Sequence, residues 1–298
     1  MNCLLTGATG FIGRHLVDHL LASGHSVNYL ARQRSPQLDT RAAFHHWDRQ
    51  DEPRLESVPR LDAVFHLAGE PVSQRWTADV KKRIMESRVD GTRKLVSAIG
   101  KLKHKPSVLV STSAVGLYGD RGDQVLTEAS DAGAGFLADV CKGWEREATR
   151  AGEFGLRVAV LRVATVLGKD GGALKPMLVP FKLGIGGRFG NGKQWMPWIH
   201  LDDLVALYVF ASENASAEGP LNASAPETVT NEQFTRTLGK VLGRPTLIPA
   251  PRFALRAVLG ELADFVLSSE RVVPERAERA GFTFRFGKLE PALRALLR

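Results

Sequence analysis

The chain has 298 residues, of which 44% are hydrophobic and 24% charged. That is ample apolar material for a large core, which excludes a disordered chain, and two cysteines exclude a disulfide-stapled module. The formal charge is +8 at pH 7. Acids are interspersed with bases almost everywhere, as in Lys142-Gly143-Trp144-Glu145-Arg146-Glu147, and no aromatic-rich binding motif accompanies the charge, which argues against nucleic acid as a partner. Cys3 and Cys141 sit in no metal-ligand spacing, so no metal is expected and a reducing compartment is the natural reading. The apolar runs are shorter than the roughly 20 residues of a membrane helix, and the chain opens almost directly on a strand. A soluble, cytoplasmic protein with no membrane partner is expected.

In chain order, short apolar or β-branched runs predict strands at Asn2–Thr6, Ser26–Ala31, Ala43–Asp48, Ala63–Leu67, Ser107–Ser113 and Arg157–Val163, with a later one at Pro220–Ala223. Amphipathic runs predict helices at Phe11–Ser23, Thr77–Ile99, Phe136–Ala151 and Asp202–Ser212. Such alternation implies parallel strands joined by helical crossovers. The unbroken apolar stretches Val108-Leu109-Val110 and Val158-Ala159-Val160-Leu161 suit strands buried on both faces. The predicted fold is α/β, a Rossmann-like doubly wound parallel sheet. After about Gly168 glycines crowd together, from Gly171-Gly172 to Gly192, and prolines recur from Pro245 to Pro274, with helices expected at Asn231–Leu242 and Phe253–Val266. This texture predicts a dinucleotide-binding domain over 1–168 and a smaller C-terminal substrate-binding domain over 169–298, with 202–225 returning to the main sheet.

Thr6-Gly7-Ala8-Thr9-Gly10-Phe11-Ile12-Gly13 follows the first strand and opens the first helix. Glycines permit a tight turn and close backbone approach to a pyrophosphate, while the helix N-terminus offers free N–H groups and a positive dipole end. Gly7, Thr9, Gly10, Phe11, Ile12 and Gly13 are therefore candidate dinucleotide contacts. At the end of the second strand, where a carboxylate would hold a ribose 2′-hydroxyl, the chain reads Tyr29-Leu30-Ala31-Arg32-Gln33-Arg34. A guanidinium there pairs with a 2′-phosphate, so the expected cofactor is NADP(H) and Arg32 the clamp. Leu67, Ala68 and Gly69, at the end of the fourth strand, are expected to lie close against the cofactor. His66 precedes them in an apolar strand without a companion ligand and reads as a packed histidine.

These residues, with Ser113 and Tyr118-Gly119 after the fifth strand, resemble the extended short-chain dehydrogenase/reductase superfamily, and more narrowly its epimerase-like branch, often labelled nucleoside-diphosphate-sugar epimerase. The resemblance runs over essentially the whole chain, through Arg75-Trp76, Ser87-Arg88-Val89, Phe136-Leu137-Ala138, Trp144-Glu145, Trp198-Ile199-His200 and the tail Gly281-Phe282-Thr283-Phe284-Arg285. It implies a serine, a tyrosine and a lysine four residues after the tyrosine as the proton-handling set. Ser113 matches the serine and Lys142 the lysine, which puts Ala138 where the tyrosine belongs. The phenol is missing, and a positioned general acid/base is worth about 10²–10⁴ in rate. Tyr118, in the loop after the serine, is the expected substitute, with a purely structural tyrosine as the competing reading, and Asp139 and Cys141 are further neighbours. Glu70, Arg75, Arg88 and Trp198 are the candidate substrate contacts; a plain surface role competes for Glu70 and Arg75, bonding of helix-end carbonyls for Arg88, and core packing at an inter-domain hinge for Trp198. Lys193, among aromatic and donor residues, is placed to meet a phosphate. The resemblance also implies a homodimer.

The expected function is an NADP(H)-binding oxidoreductase or epimerase-like enzyme acting on a small molecule. Lys142 would orient the nicotinamide ribose, Ser113 would bond the reacting oxygen, and Tyr118, a carboxylate or water would supply the proton. The competing expectation, motivated by Ala138, is an NADP(H)-binding sensor or regulatory protein without chemistry.

Overall fold

β1 (Asn2–Thr6) buries Cys3, Leu4, Leu5 and Thr6 completely, because a strand flanked on both sides and covered on both faces has no solvent side. The computed structural model describes residues 1–297. After β1 the chain runs through α1 (Phe11–Ala22), β2 (Ser26–Ala31), β3 (Ala43–His46), β4 (Ala63–His66), α2 (Ala78–Lys101), β5 (Val108–Ala114), β6 (Val125–Leu126), α3 (Phe136–Thr149) and β7 (Arg157–Val163). It continues through β8 (Thr165–Leu167), α4 (Leu174–Lys182), β9 (Trp198–His200), α5 (Leu201–Glu213), β10 (Gly219–Ala223) and α6 (Asn231–Leu242). The remainder holds α7 (Arg252–Leu259), α8 (Leu262–Val266), β11 (Arg271–Val272), α9 (Glu275–Arg279) and α10 (Leu289–Leu297).

Seven strands form one sheet in the order β10-β7-β5-β4-β1-β2-β3, and every neighbouring pair is parallel. The strand order reverses between β1 and β4, so the crevice for a ligand opens beyond their carboxyl ends. Alternate side chains fill two cores, as the pleat requires. Cys3, Leu5, Val108 and Val110 meet α1 and α5 on one face. Leu4, Val64, Leu109 and Val160 meet Leu95, Val96 and Ile99 of α2 on the other. A third core around Phe181, Trp198, Phe234, Leu289 and Leu293 belongs to the C-terminal lobe.

Two features depart from the expectation. The helix predicted over Phe253–Val266 is broken into α7 and α8 at Gly260, whose φ of +61° is one that L side chains rarely adopt. The tail does not stay in the second lobe either: Ala277 of α9 is buried in the main core, with Phe282 and Phe284 packed against it. The glycine crowding after residue 167 has a concrete cause, since Cβ atoms at Gly168, Gly171 and Gly172 would each fall within 3 Å of the Phe11 ring. That ring is the plug between α1 and the C-terminal lobe.

Candidate cofactor-binding site

The turn from β1 to α1 has no room for side chains. Gly7 has φ +73°, and a Cβ there would stand 2.6 Å from the Leu67 carbonyl carbon and 2.8 Å from the Ala68 nitrogen. A Cβ at Gly13 would overlap the Gly7 carbonyl oxygen at 2.1 Å. The loops after β1 and β4 thus touch through bare backbone. Gly10 occupies the N-cap of α1 without any side-chain hydrogen bond, which leaves the first-turn amides of Phe11 and Ile12 without an intrahelical partner. Thr9 and Gly10 are exposed beside them. This bare, donor-rich cradle fits a diphosphate.

Below it, His66 locks the two strands together. The Thr6 hydroxyl oxygen accepts the Leu67 and Ala68 amides at 3.2 and 3.1 Å and lies 2.6 Å from His66 Nδ1. On the other side His66 Nε2 is 2.8 Å from Thr92 Oγ1, and Thr92 donates to the Arg88 carbonyl. Because the Thr92 proton is committed to that carbonyl, Nε2–H must donate to Thr92, and Nδ1 accepts from Thr6. Burial, reinforced by repulsion from Arg88 and Arg49, pushes the His66 pKa down to about 3, so it is a neutral packing residue. The unfolded chain therefore binds a proton here between about pH 6.5 and 3 that the native state refuses, and stability falls with falling pH in that window. The loss approaches about 1.4 kcal/mol per pH unit from this one group. Urea titrations from pH 7 to 4 are expected to show a shallower pH dependence in His66→Gln than in the parent; equal slopes would refute the assignment.

Arg32 follows β2 and is exposed, and Arg49 follows β3 and is half-buried. The Arg49 pKa is lowered first by burial and next by repulsion from Arg32, with Glu70 opposing. Neither arginine has a carboxylate within ion-pair distance among the described residues. Among the described residues Arg49 is also the one non-glycine residue with positive φ, at +72°, a conformation that costs about 1 kcal/mol or more and concentrates at functional sites. Sequence reasoning missed Arg49, because an arginine in an irregular loop carries no periodic signal.

The proton-handling set is arranged differently from the expectation. α3 turns Ala138, Cys141 and Trp144 inward and Asp139 and Lys142 outward. Lys142 is exposed and bonds Asp139 at 2.6 Å, so it does not face the crevice, which corrects its expected role. Cys141 takes the inward place instead, with Sγ 3.7 Å from the Ala114 carbonyl oxygen. Burial pushes its thiol pKa up to about 11, which keeps it protonated and un-nucleophilic at neutral pH. Ser113 is buried and donates to Glu145 Oε1 at 2.6 Å. Glu145 in turn pairs bidentately with Arg162, at 3.0 and 2.9 Å. Tyr118 is wholly buried, accepts from Arg162 Nη1 at 2.9 Å and donates to Asn222 Oδ1 at 2.6 Å. Burial raises its pKa. A phenol sealed in the core cannot reach a substrate, so the structural reading of Tyr118 holds and its role as substitute proton donor is corrected. The Glu145–Arg162 pair, unforeseen from sequence, welds β5, β7, β10 and α3 together.

Of the candidate substrate contacts, Trp198 follows its core-packing reading and is corrected as a contact: it is fully buried in the C-terminal core and donates to the Glu227 carbonyl at 3.0 Å. Arg88 donates to the carbonyls of Glu70 and Ile84 at 2.9 and 3.4 Å and lies over the Trp144 ring, 5.0 Å from its centroid. It also covers Gly69, where a Cβ would come within 2.9 Å of the guanidinium. Glu70 is half-buried and faces Arg83 at 3.6 Å. Arg75 is exposed against Gly260 of the C-terminal lobe. Between the lobes lies a cavity of about 560 Å³, lined by Asp123, Asn191, Lys193, Gln194, Arg252 and Ser269 among others.

A parallel sheet with its reversal at β1/β4, a bare glycine turn and an uncapped helix start there define a dinucleotide-binding fold of the extended short-chain dehydrogenase/reductase class. Residues 3–223 match the family model described as NAD dependent epimerase/dehydratase family, and the chain belongs to that family. Residues 250–296 match a domain of unknown function, DUF1731. The chain is 42% identical over 302 residues to the epimerase family protein SDR39U1 homolog, chloroplastic, of Arabidopsis thaliana, covering 100% of this chain and 87% of that protein. It is 36% identical to the epimerase family protein YfhF of Bacillus subtilis, covering 100% and 98%. The crystal structure of human epimerase family protein SDR39U1 (isoform 2) with NADPH superimposes with a TM-score of 0.91 at 34% identity, covering 99% of each chain.

Proposed function

We propose that this chain binds NADP(H) in the β1/β4 crevice and supplies no side chain for the proton that ordinarily accompanies hydride transfer in its class. The observation that carries the reading is a contrast within one site. The coenzyme cradle is complete, while Ser113, Tyr118 and Lys142 are each engaged elsewhere and Ala138 has nothing to offer. The NADPH held by the human relative supports the choice of coenzyme, as do Arg32 and Arg49, two guanidinium groups without a carboxylate partner among the described residues and ready for a 2′-phosphate. When bound, the nicotinamide supplies a hydride donor or acceptor. The chain's own residues hold the diphosphate on the first-turn amides of α1, exclude side chains at Gly7 and Gly13, and hold the loops after β1 and β4 in register through His66.

A second reading is a slow reductase or epimerase-like enzyme in which water supplies the proton. The interlobe cavity favours it, being large enough for a small molecule, and Lys193 and Arg252 on its wall suit an anionic one. Loss of nicotinamide absorbance, followed across a panel of sugar nucleotides and small carbonyls, separates the two. The proposal expects no turnover above the protein-free blank, whereas the slow enzyme expects about 10⁻³–10⁻¹ s⁻¹, because a missing general acid removes about 10²–10⁴ from a typical rate of about 10 s⁻¹. Turnover at about 1 s⁻¹ or faster would overturn both.

A further inference from the structure

Residues 171–200 and 233–260 contain nine lysines and arginines and no aspartate or glutamate. These two stretches are locally basic, although the acids between and after them bring residues 169–298 as a whole to +4, half of the chain's +8. Seven of the nine large apolar side chains left exposed among the described residues lie in the same two stretches. Leu247 is 85% exposed and Leu183 70%, with Val179, Ile185 and Ile248 also more than half exposed.

The segments that carry Val179, Leu183, Ile185, Leu247 and Ile248 lie side by side. The Ala250 amide donates to the Arg188 carbonyl at 2.8 Å and the Gly190 amide to the Ala250 carbonyl at 2.9 Å, which lays the two segments side by side. A Cβ at Gly184 would touch Pro245, and one at Gly187 would overlap the Ile248 carbonyl. Val179 of α4 lies one helical turn before Leu183, which caps that helix's C-terminus. Lys175, Lys182 and Arg244 flank the aliphatic residues, are exposed, and have no carboxylate within 4.0 Å among the described residues.

The chemistry of the face selects its partner. A two-fold contact with a second copy would set these bases against themselves, which is repulsive. Protein-interface anchors are aromatic or arginine, with leucine and valine under-represented, whereas the five tips on these adjoining segments, Val179, Leu183, Ile185, Leu247 and Ile248, are aliphatic. Apolar tips ringed by unpaired bases match an anionic bilayer: the tips enter the headgroup–acyl boundary and the bases meet the lipid phosphates. We propose that this face of the C-terminal lobe docks reversibly on an anionic lipid surface. No helix among the described residues is long and apolar enough to cross a membrane, which concerns spanning and leaves surface attachment open.

Vesicle co-sedimentation of the full chain tests this, using phosphatidylcholine vesicles with or without about 30 mol% phosphatidylglycerol as the anionic lipid. Binding is expected with the anionic vesicles only and is expected to weaken in about 0.5 M salt. Leu247→Glu with Ile248→Glu, and separately Lys182→Glu with Arg244→Glu, should each lower the partition coefficient by about tenfold or more. Unchanged thermal unfolding of both pairs establishes that they fold. Failure of the parent protein to bind anionic vesicles, or binding indifferent to both pairs, would overturn the proposal. So would a dimer that Leu247→Glu with Ile248→Glu dissolves while vesicles remain unbound.

Discussion

Replacing Arg32 and Arg49 together by alanine is expected to weaken NADPH binding by about a hundredfold or more, since hydrogen bonds to charged groups contribute about 1.5–3 kcal/mol each. NADH affinity should stay within about threefold, because NADH carries nothing for the two guanidinium groups to hold. The asymmetry between coenzymes is the informative quantity, as a misfolded variant would lose both. Arg49→Gly sharpens the test. It removes the guanidinium while relieving the φ of +72°, so it should lose NADPH affinity while keeping or gaining stability. If NADPH and NADH weaken equally in the double variant, the 2′-phosphate lies elsewhere.

The second large effect concerns stability. Glu145→Ala leaves the Arg162 guanidinium buried without its carboxylate and removes the acceptor of Ser113. Breaking one partner of a buried pair costs about 3–5 kcal/mol, whereas replacing both by apolar residues of similar volume is often neutral. Glu145→Ala should therefore shift the urea midpoint strongly downward, and Glu145→Leu with Arg162→Met should recover much of the loss. A shift of less than about 1 kcal/mol in the single variant would show that water or another group reaches Arg162.

The framework was legible in the sequence because it is written in runs of neighbouring residues. β1, β2 and β7 match their predicted limits, since a strand buried on both faces is a continuous apolar word. The glycine turn was legible because backbone clearance at Gly7 and Gly13 admits no other residue. The phase of α3 was misread: counting four residues back from Lys142 honours a motif spacing, but the helix buries Ala138, Cys141 and Trp144, a three-residue step that leaves Lys142 in water. The Trp144-Glu145 pair held that information. The Glu145–Arg162 bond and the Arg32–Arg49 pairing were not legible, since both depend on side chains brought together from different elements. Tyr118 was misplaced for the same reason, as its partner Asn222 lies 104 positions away.

The central claim is that a coenzyme diphosphate rests on the opening turn of α1, with its 2′-phosphate between Arg32 and Arg49. Calorimetric titration of the purified chain with NADPH and then NADH tests it most directly. The account predicts saturable NADPH binding at about micromolar affinity, with NADH weaker by about tenfold or more. No heat from NADPH at about millimolar concentration, or NADH binding as tightly as NADPH, would contradict it.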